Sequence, residues 1–278
     1  MRVTSPDGRQ KATLAPDGIL HSKYTGRKVG KGTYVFCWRK ALEMLPTTAY
    51  KRISQHLVLP SSLADHVAHL LRLRVLQELE LLTEQVEFAA KMRFRHTSVL
   101  RKLTCEEWRQ LQLTKTIPYK KALAVLVSSP QQKNPDDDEK ILPSMSPLPP
   151  QDQDNPLNAP PVCEMLPSKG PSHLPGSMLH HATPLYNAIS AFPSLSQRAA
   201  LHALLLRLLS AERTIQRRQN QRSISKFVAS ESAPPISNDA FLLSSTMDRD
   251  QHGDPTALAI ALWRLHMYER SAWSNALP

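Results

Sequence analysis

Along the first half of the chain, Leu63, Val67, Leu71, Val75, Leu79, Leu82 and Val86 recur at three- and four-residue spacing, and Leu70, Leu73 and Leu76 widen the stripe. Apolar positions at that spacing mark one buried face of a helix. Ser62, with Asp65 three residues on, gives a capping-box-like start, and neither proline nor glycine intervenes before Thr116. The pattern predicts a helix of about thirty residues, about 45 Å long at 1.5 Å per residue. A stripe that broad calls for partner helices. Thr104 and Glu107 repeat the capping-box spacing and predict a short helix through Trp108 and Leu111, stopped by Pro118. The apolar run Ala122 to Val127 fits a strand as readily as a buried helical turn. The run Tyr34 to Trp38 fits a short strand or the start of a helix reaching Leu45, and Pro46 and Pro60 bracket a further helical candidate from Thr48 to Val58.

Periodicity returns near the other end. After Pro193-Ser194, the positions Leu201, Leu204, Leu205, Leu208, Leu209 and Ile215 define a second apolar helix face. A polar stretch over about 229–253 follows. Asp254-Pro255 then signals a last helix with Leu258, Leu262 and Leu265 on one face and Trp263 and Trp273 nearby, an acidic cap followed by proline at the first helical position. The expected fold is mostly α: a long-helix N-terminal helical region and a C-terminal helical hairpin, separated by a disordered Pro-rich acidic linker. The expected organisation is a basic flexible arm over 1–33, a helical domain over 34–128, the linker over 129–180 and the C-terminal helical region over 181–278.

Composition supports the linker. Residues 128–180 hold 12 of the 23 prolines and the run Asp136-Asp137-Asp138-Glu139, without periodic apolar positions. Such a segment buries too little apolar surface to offset the entropy of ordering it. The charge of the whole chain is +11. It is distributed as +8 over 1–61, +4 over 62–127, −4 over 128–180 and +3 over the remainder. An acidic section in a basic chain is suited to shield the basic regions until a polyanion displaces it. No apolar run approaches the roughly 20 residues that span a bilayer, so no membrane span is expected. Cys37, Cys105 and Cys163 are widely spaced and odd in number, which argues against a disulfide framework and favours an intracellular reducing compartment, the mitochondrial matrix or nucleus foremost. Arg2, Arg9 and Lys11 suit a mitochondrial presequence, but Asp7, Asp17 and the Pro-Asp-Gly turns at 6–8 and 16–18 spoil an amphipathic helix there.

Candidate chemistry is sparse. His66 and His69 lie one helical turn apart beside Asp65, with His56 upstream, yet no His-x-x-x-His or Glu-x-x-His pattern accompanies them, so no metal and no cofactor is expected. His180-His181 stands at the linker's edge, and the cysteines have no local base. The glycines of Lys23 to Gly32 lack the preceding strand and the Gly-Lys-Ser/Thr ending of a phosphate-binding loop. No catalytic pair stands out and no small-molecule substrate is evident, so the chain is read as a binding protein, not an enzyme.

The basic clusters carry the functional expectation. Lys23, Tyr24, Arg27, Lys28 and Lys31 alternate cations with small and aromatic residues, as a segment that neutralises phosphates and stacks on unpaired bases would. Tyr34, Phe36 and Trp38 extend that series or belong to a core. Arg93 and Arg95 lie in a basic helix end running from Lys91 to Lys102, and Arg217 and Arg218 in a second one, Arg213 to Lys226. Each reads equally as an RNA contact or as a solvated face. Arg222-Ser223-Ile224-Ser225 also has the spacing of a basophilic phosphosite. The favoured function is a non-catalytic RNA- or ribonucleoprotein-associated helical protein of the ribosome-associated or organellar assembly type. The alternative is a helical interaction scaffold that meets protein partners through Leu71, Leu79, Leu82 and Leu205.

Overall fold

The computed structural model describes residues 2–4, 10–26, 32–48, 57–94, 96–119, 121–128, 161–167, 182–223, 236–245 and 253–269. By internal contacts the chain divides into two compact units, residues 1–77 with 260–278, and residues 78–259.

In the first unit, strands β1 (Arg2–Thr4) and β2 (Gln10–Thr13) pair antiparallel, and β2 pairs parallel with β3 (Leu57–Val58). Part of the expected basic arm is therefore β-structure. Residues 32–36 are irregular and exposed, with Tyr34 and Phe36 at 101% and 81% exposure, which excludes them from a core. Helix α1 (Arg39–Thr48) follows. Helix α2 (Leu63–Met92) has the thirty residues expected and crosses from the first unit into the second. Asp65 spends its carboxylate on Arg39, which also holds Glu43 at 2.9 Å. Arg72 pairs with Glu269 near the end of the last helix, and Tyr268 Oη donates to the Ala64 carbonyl at 2.7 Å. The charge-assisted Arg39–Asp65 and Arg72–Glu269 pairs, with the neutral Tyr268 bond, fix α1 and the last helix to the start of α2.

The second unit overturns the expectation of a mostly α chain with a C-terminal hairpin. Strands β4 (Leu100–Thr104), β5 (Ala122–Val127), β6 (Cys163–Pro167), β7 (Ala182–Asn187) and β8 (Ile236–Ser244) form one mixed sheet in the order β4-β8-β5-β7-β6. The β5–β7 pair is parallel and the other three pairs are antiparallel. β6 lies inside the stretch read as linker. β8 lies inside the polar stretch read as a helix connection, and it inserts between β4 and β5. Residues on both sides of 129–160 thus share one sheet, so the two halves are not separate helical parts. Pro184 is accommodated in β7 because the ladder with β5 begins one residue later, at Val125 and Leu185.

Both sheet faces are covered. On one, Leu103, Val125, Leu166, Ala240 and Leu242 pack with Leu111 of helix α3 (Cys105–Thr114) and with Ile117. The other presents the buried Leu100, Leu126, Tyr186, Phe241 and Leu243. Helix α3 opens on the predicted capping box: the Glu107 N–H donates to Thr104 Oγ1 at 3.1 Å, and the Thr104 N–H donates to Glu107 Oε2 at 2.8 Å. Helices α4 (Ala188–Ala191) and α5 (Leu195–Ser223) separate β7 from β8, and helix α6 (Thr256–Glu269) starts as predicted, with its first N–H bonded to Asp254. Gly253, just before α6, has φ +94°, and a Cβ there would stand 2.8 Å from Val86 Cγ2. Only glycine suits that backbone and that approach.

Candidate nucleic-acid interface

The basic stretch Lys91 to Lys102 is not one helix end. Helix α2 stops at Met92, Arg93 takes a left-handed φ of 59°, and the Phe94 N–H bonds the Ala89 carbonyl at 3.2 Å. This is a Schellman C-cap, completed by the customary apolar contact, here between the Phe88 and Phe94 rings, 6.2 Å apart. The turn exposes Lys91 and Arg93 and buries His96, while Arg101 and Lys102 pass into β4.

A buried carboxylate fixes the turn to α5. Glu212 Oε1 accepts the Val99 N–H at 2.8 Å and lies 3.1 Å from His96 Nε2. Both side chains are almost fully enclosed, so this histidine–carboxylate pair is an anchor and offers no surface for chemistry. The last turns of α5 reach the same place: Gln219 Nε2 donates to the His96 carbonyl at 3.2 Å, and the Arg218 guanidinium donates to the Ala90 carbonyl. The C-terminal ends of α2 and α5 therefore converge. Each carries the negative end of a helix dipole, and the surrounding cations are stabilised there by about 0.3–1 kcal/mol apiece.

Between the two helices lies an open cleft of about 380 Å³, with Glu87, Lys91, Arg207 and Arg218 supplying its charged walls. Arg207 grips Glu87 through two 2.7 Å bonds. Those bonds hold the Glu87 carboxyl below the usual range, against a smaller opposing effect of burial, with Lys91 adding to the pull. With Glu87 neutralised in place, the positive charges of Lys91, Arg93, Arg213 and Arg217 dominate this end, and all four residues are exposed.

A second basic position lies in the first unit. The His21 N–H donates to Gln77 Oε1 at 3.0 Å, and the Tyr24 N–H bonds the His21 carbonyl at 2.9 Å, so a tight turn is pinned to α2. It displays Lys23 with its ammonium 5.6 Å from the centre of the exposed Tyr24 ring. No protein-family model, curated protein or solved structure matches this chain.

Of the expected nucleic-acid contacts, Lys23 and Tyr24 are thus displayed on one turn, and Arg93, Arg217 and Arg218 gather at the joined helix ends. Arg218 is already engaged as a helix cap. Arg27, Lys28, Lys31 and Arg95 lie outside the described residues, as do His56, His180 and His181. The leucines expected at a protein interface, Leu71, Leu79, Leu82 and Leu205, are at most 5% exposed, covered by the chain itself. His66 is exposed, whereas His69 is buried and its pKa is lowered by that burial, then by the neighbouring Arg72 and His66. Among the described residues, no group of three or more His, Cys, Asp or Glu is placed to hold a metal ion, and no helix is long and apolar enough to cross a membrane. The convergence of the two basic clusters escapes sequence reading because over a hundred residues, including a whole sheet edge, separate them.

Proposed function

We propose that this protein is an RNA- or ribonucleoprotein-associated protein that works by binding and performs no catalysis. The observation that carries this reading is the meeting of the Lys91–Arg93 and Arg213–Arg218 clusters at one pair of helix ends. Cations brought together from distant sequence raise the local positive potential well above that of either cluster, and a phosphate backbone responds to that sum. The tight turn with Lys23 and Tyr24 supplies a further cation and an exposed ring. The scaffold alternative loses its proposed surface, because its four leucines are internal.

The test is RNA binding by the full chain, followed by fluorescence anisotropy between about 50 and 200 mM salt, where each neutralised phosphate contributes roughly 0.7–0.9 to the log–log slope. The variant Lys91→Glu/Arg93→Glu/Arg217→Glu changes only exposed side chains. It is expected to weaken binding and to reduce the slope by about 2–3. Absent binding, salt-independent binding, or binding that the triple variant leaves untouched refutes the proposal.

A further inference from the structure

Tyr34 and Phe36 are 101% and 81% exposed, whereas every other phenylalanine or tyrosine among the described residues is less than half exposed. A value near 100% means that a side chain touches almost nothing of the fold, so both faces of Tyr34 and most of Phe36 meet solvent. Val35 between them is exposed as well. The backbone that follows them is tied down. The Trp38 N–H donates to the Phe36 carbonyl at 2.7 Å, and the Trp38 carbonyl accepts the Ala41 N–H at 3.1 Å as α1 begins. The Cys37 thiol donates to the Arg264 carbonyl of α6 at 3.6 Å. Burial of the sulfur pushes that thiol's pKa up and the charge of Arg264 pulls it back, which puts the guanidinium beside this segment. The carboxylates of Glu43, Asp65 and Glu269 all pair with Arg39, while Lys40 and Arg264 are exposed. Two open rings therefore stand next to positive charge.

We infer that Tyr34 and Phe36 are a stacking platform for unpaired bases, with Lys40 and Arg264 supplying positive charge for the phosphates, so that the RNA taken by this part of the chain is single-stranded. The inference rests on the RNA-binding reading above and names the form of RNA. Stacking on a base needs an open ring face, and the backbone that carries the base needs neutralising. One residue separates the two rings, which keeps their α-carbons within about 7 Å, close enough to serve neighbouring nucleotides. The fixed backbone after Phe36 limits the freedom lost when a strand binds. A duplex keeps its bases stacked on one another and has none to offer. A polyanion suits the surroundings better than a protein groove, since residues 1–61 carry a charge of +8.

The test compares a short oligouridylate with a blunt RNA duplex of equal charge, using the full chain and the variant Tyr34→Leu/Phe36→Leu. Leucine keeps the apolar character and removes the aromatic faces, at positions whose side chains the fold does not use. Oligouridylate affinity is expected to fall about tenfold per ring, with duplex affinity and the salt slope unchanged. Tyr34→Trp is expected to keep the affinity and to add an emission that oligouridylate quenches. Salt-sensitive RNA binding that the leucine variant retains in full, without quenching in Tyr34→Trp, overturns the platform while leaving the basic interface standing. No RNA binding by the unaltered protein removes both. A concentration-dependent dimer that disappears in the leucine variant assigns the rings to self-association and also overturns the platform.

Discussion

Glu107 ties together the start of α3, an edge strand and Tyr119, five residues beyond the end of the helix. Its carboxylate accepts two 2.9 Å bonds from Arg101, one of 2.8 Å from the Thr104 N–H and one of 2.5 Å from Tyr119 Oη, while the Arg101 guanidinium stacks 4.6 Å from the centre of the Tyr119 ring. Burial alone raises the carboxyl pKa, but the bonds from Arg101, Thr104 and Tyr119 together outweigh it and bring the value from 4.5 to about 2. Each tenfold change in proton affinity is worth about 1.36 kcal/mol, which sets a ceiling of roughly 3 kcal/mol on the stability that this charge contributes. The side chain is 27% exposed, and solvent screening brings the expected value to about 1–2 kcal/mol. Glu107→Gln keeps the shape and removes the charge. Urea unfolding at pH 7, followed by circular dichroism and tryptophan fluorescence, should show that loss, a midpoint shift of about 0.5 M. The folded carboxyl holds its proton less tightly than the unfolded one, so its contribution is complete above about pH 5 and declines as the pH falls from 4.5 towards 2. The gap between the unaltered protein and the variant should close over that interval. A gap that persists undiminished near pH 2 assigns the loss to packing, and no gap at pH 7 removes the network from the stability of the fold.

Other substitutions probe separate elements. Leu79→Ala, at a fully buried position of α2, should cost about 2–5 kcal/mol in thermal or denaturant unfolding, whereas Leu206→Ala, 41% exposed, should stay within about 0.5 kcal/mol. Gly253→Ala meets both a positive φ and the Val86 methyl at 2.8 Å, and should lose about 1–3 kcal/mol in the same assay. Deleting 131–158 removes the Asp136–Glu139 run and leaves β5 and β6 whole. It should raise RNA affinity severalfold at low salt, and an unchanged affinity rejects shielding by that acidic segment.

The helices were legible because their signals are local. The stripe from Leu63 to Val86, the Thr104–Glu107 capping box and the Asp254-Pro255 start each lie within a few turns and each corresponds to an observed element. The sheet was not legible, for a physical reason. With both faces covered, its inner strands read as short apolar runs with no alternation, Ala122 to Val127 and Ala240 to Leu243. Runs that short are ambiguous in isolation. β4 was hidden in a stretch without proline or glycine that reads as continuing helix, and the break at Arg93 is made by an arginine in a conformation usually left to glycine. β6 and β7 sit among prolines that suggest disorder, and only their pairing with each other and with β5 reveals them. The candidate site follows the same logic: its cations were visible singly, and their proximity was not.

The position of β8 also sets a timetable. It is the wall between β4 and β5, yet it is made last, more than a hundred residues after β5 leaves the peptidyl-transferase centre. At about 5–20 residues per second, the apolar edges of β4 and β5 wait roughly 5–20 seconds for the strand that joins them. A fragment ending near residue 128 never receives it. Such a fragment holds two strands whose shared neighbour is missing, and it is expected to aggregate when made alone.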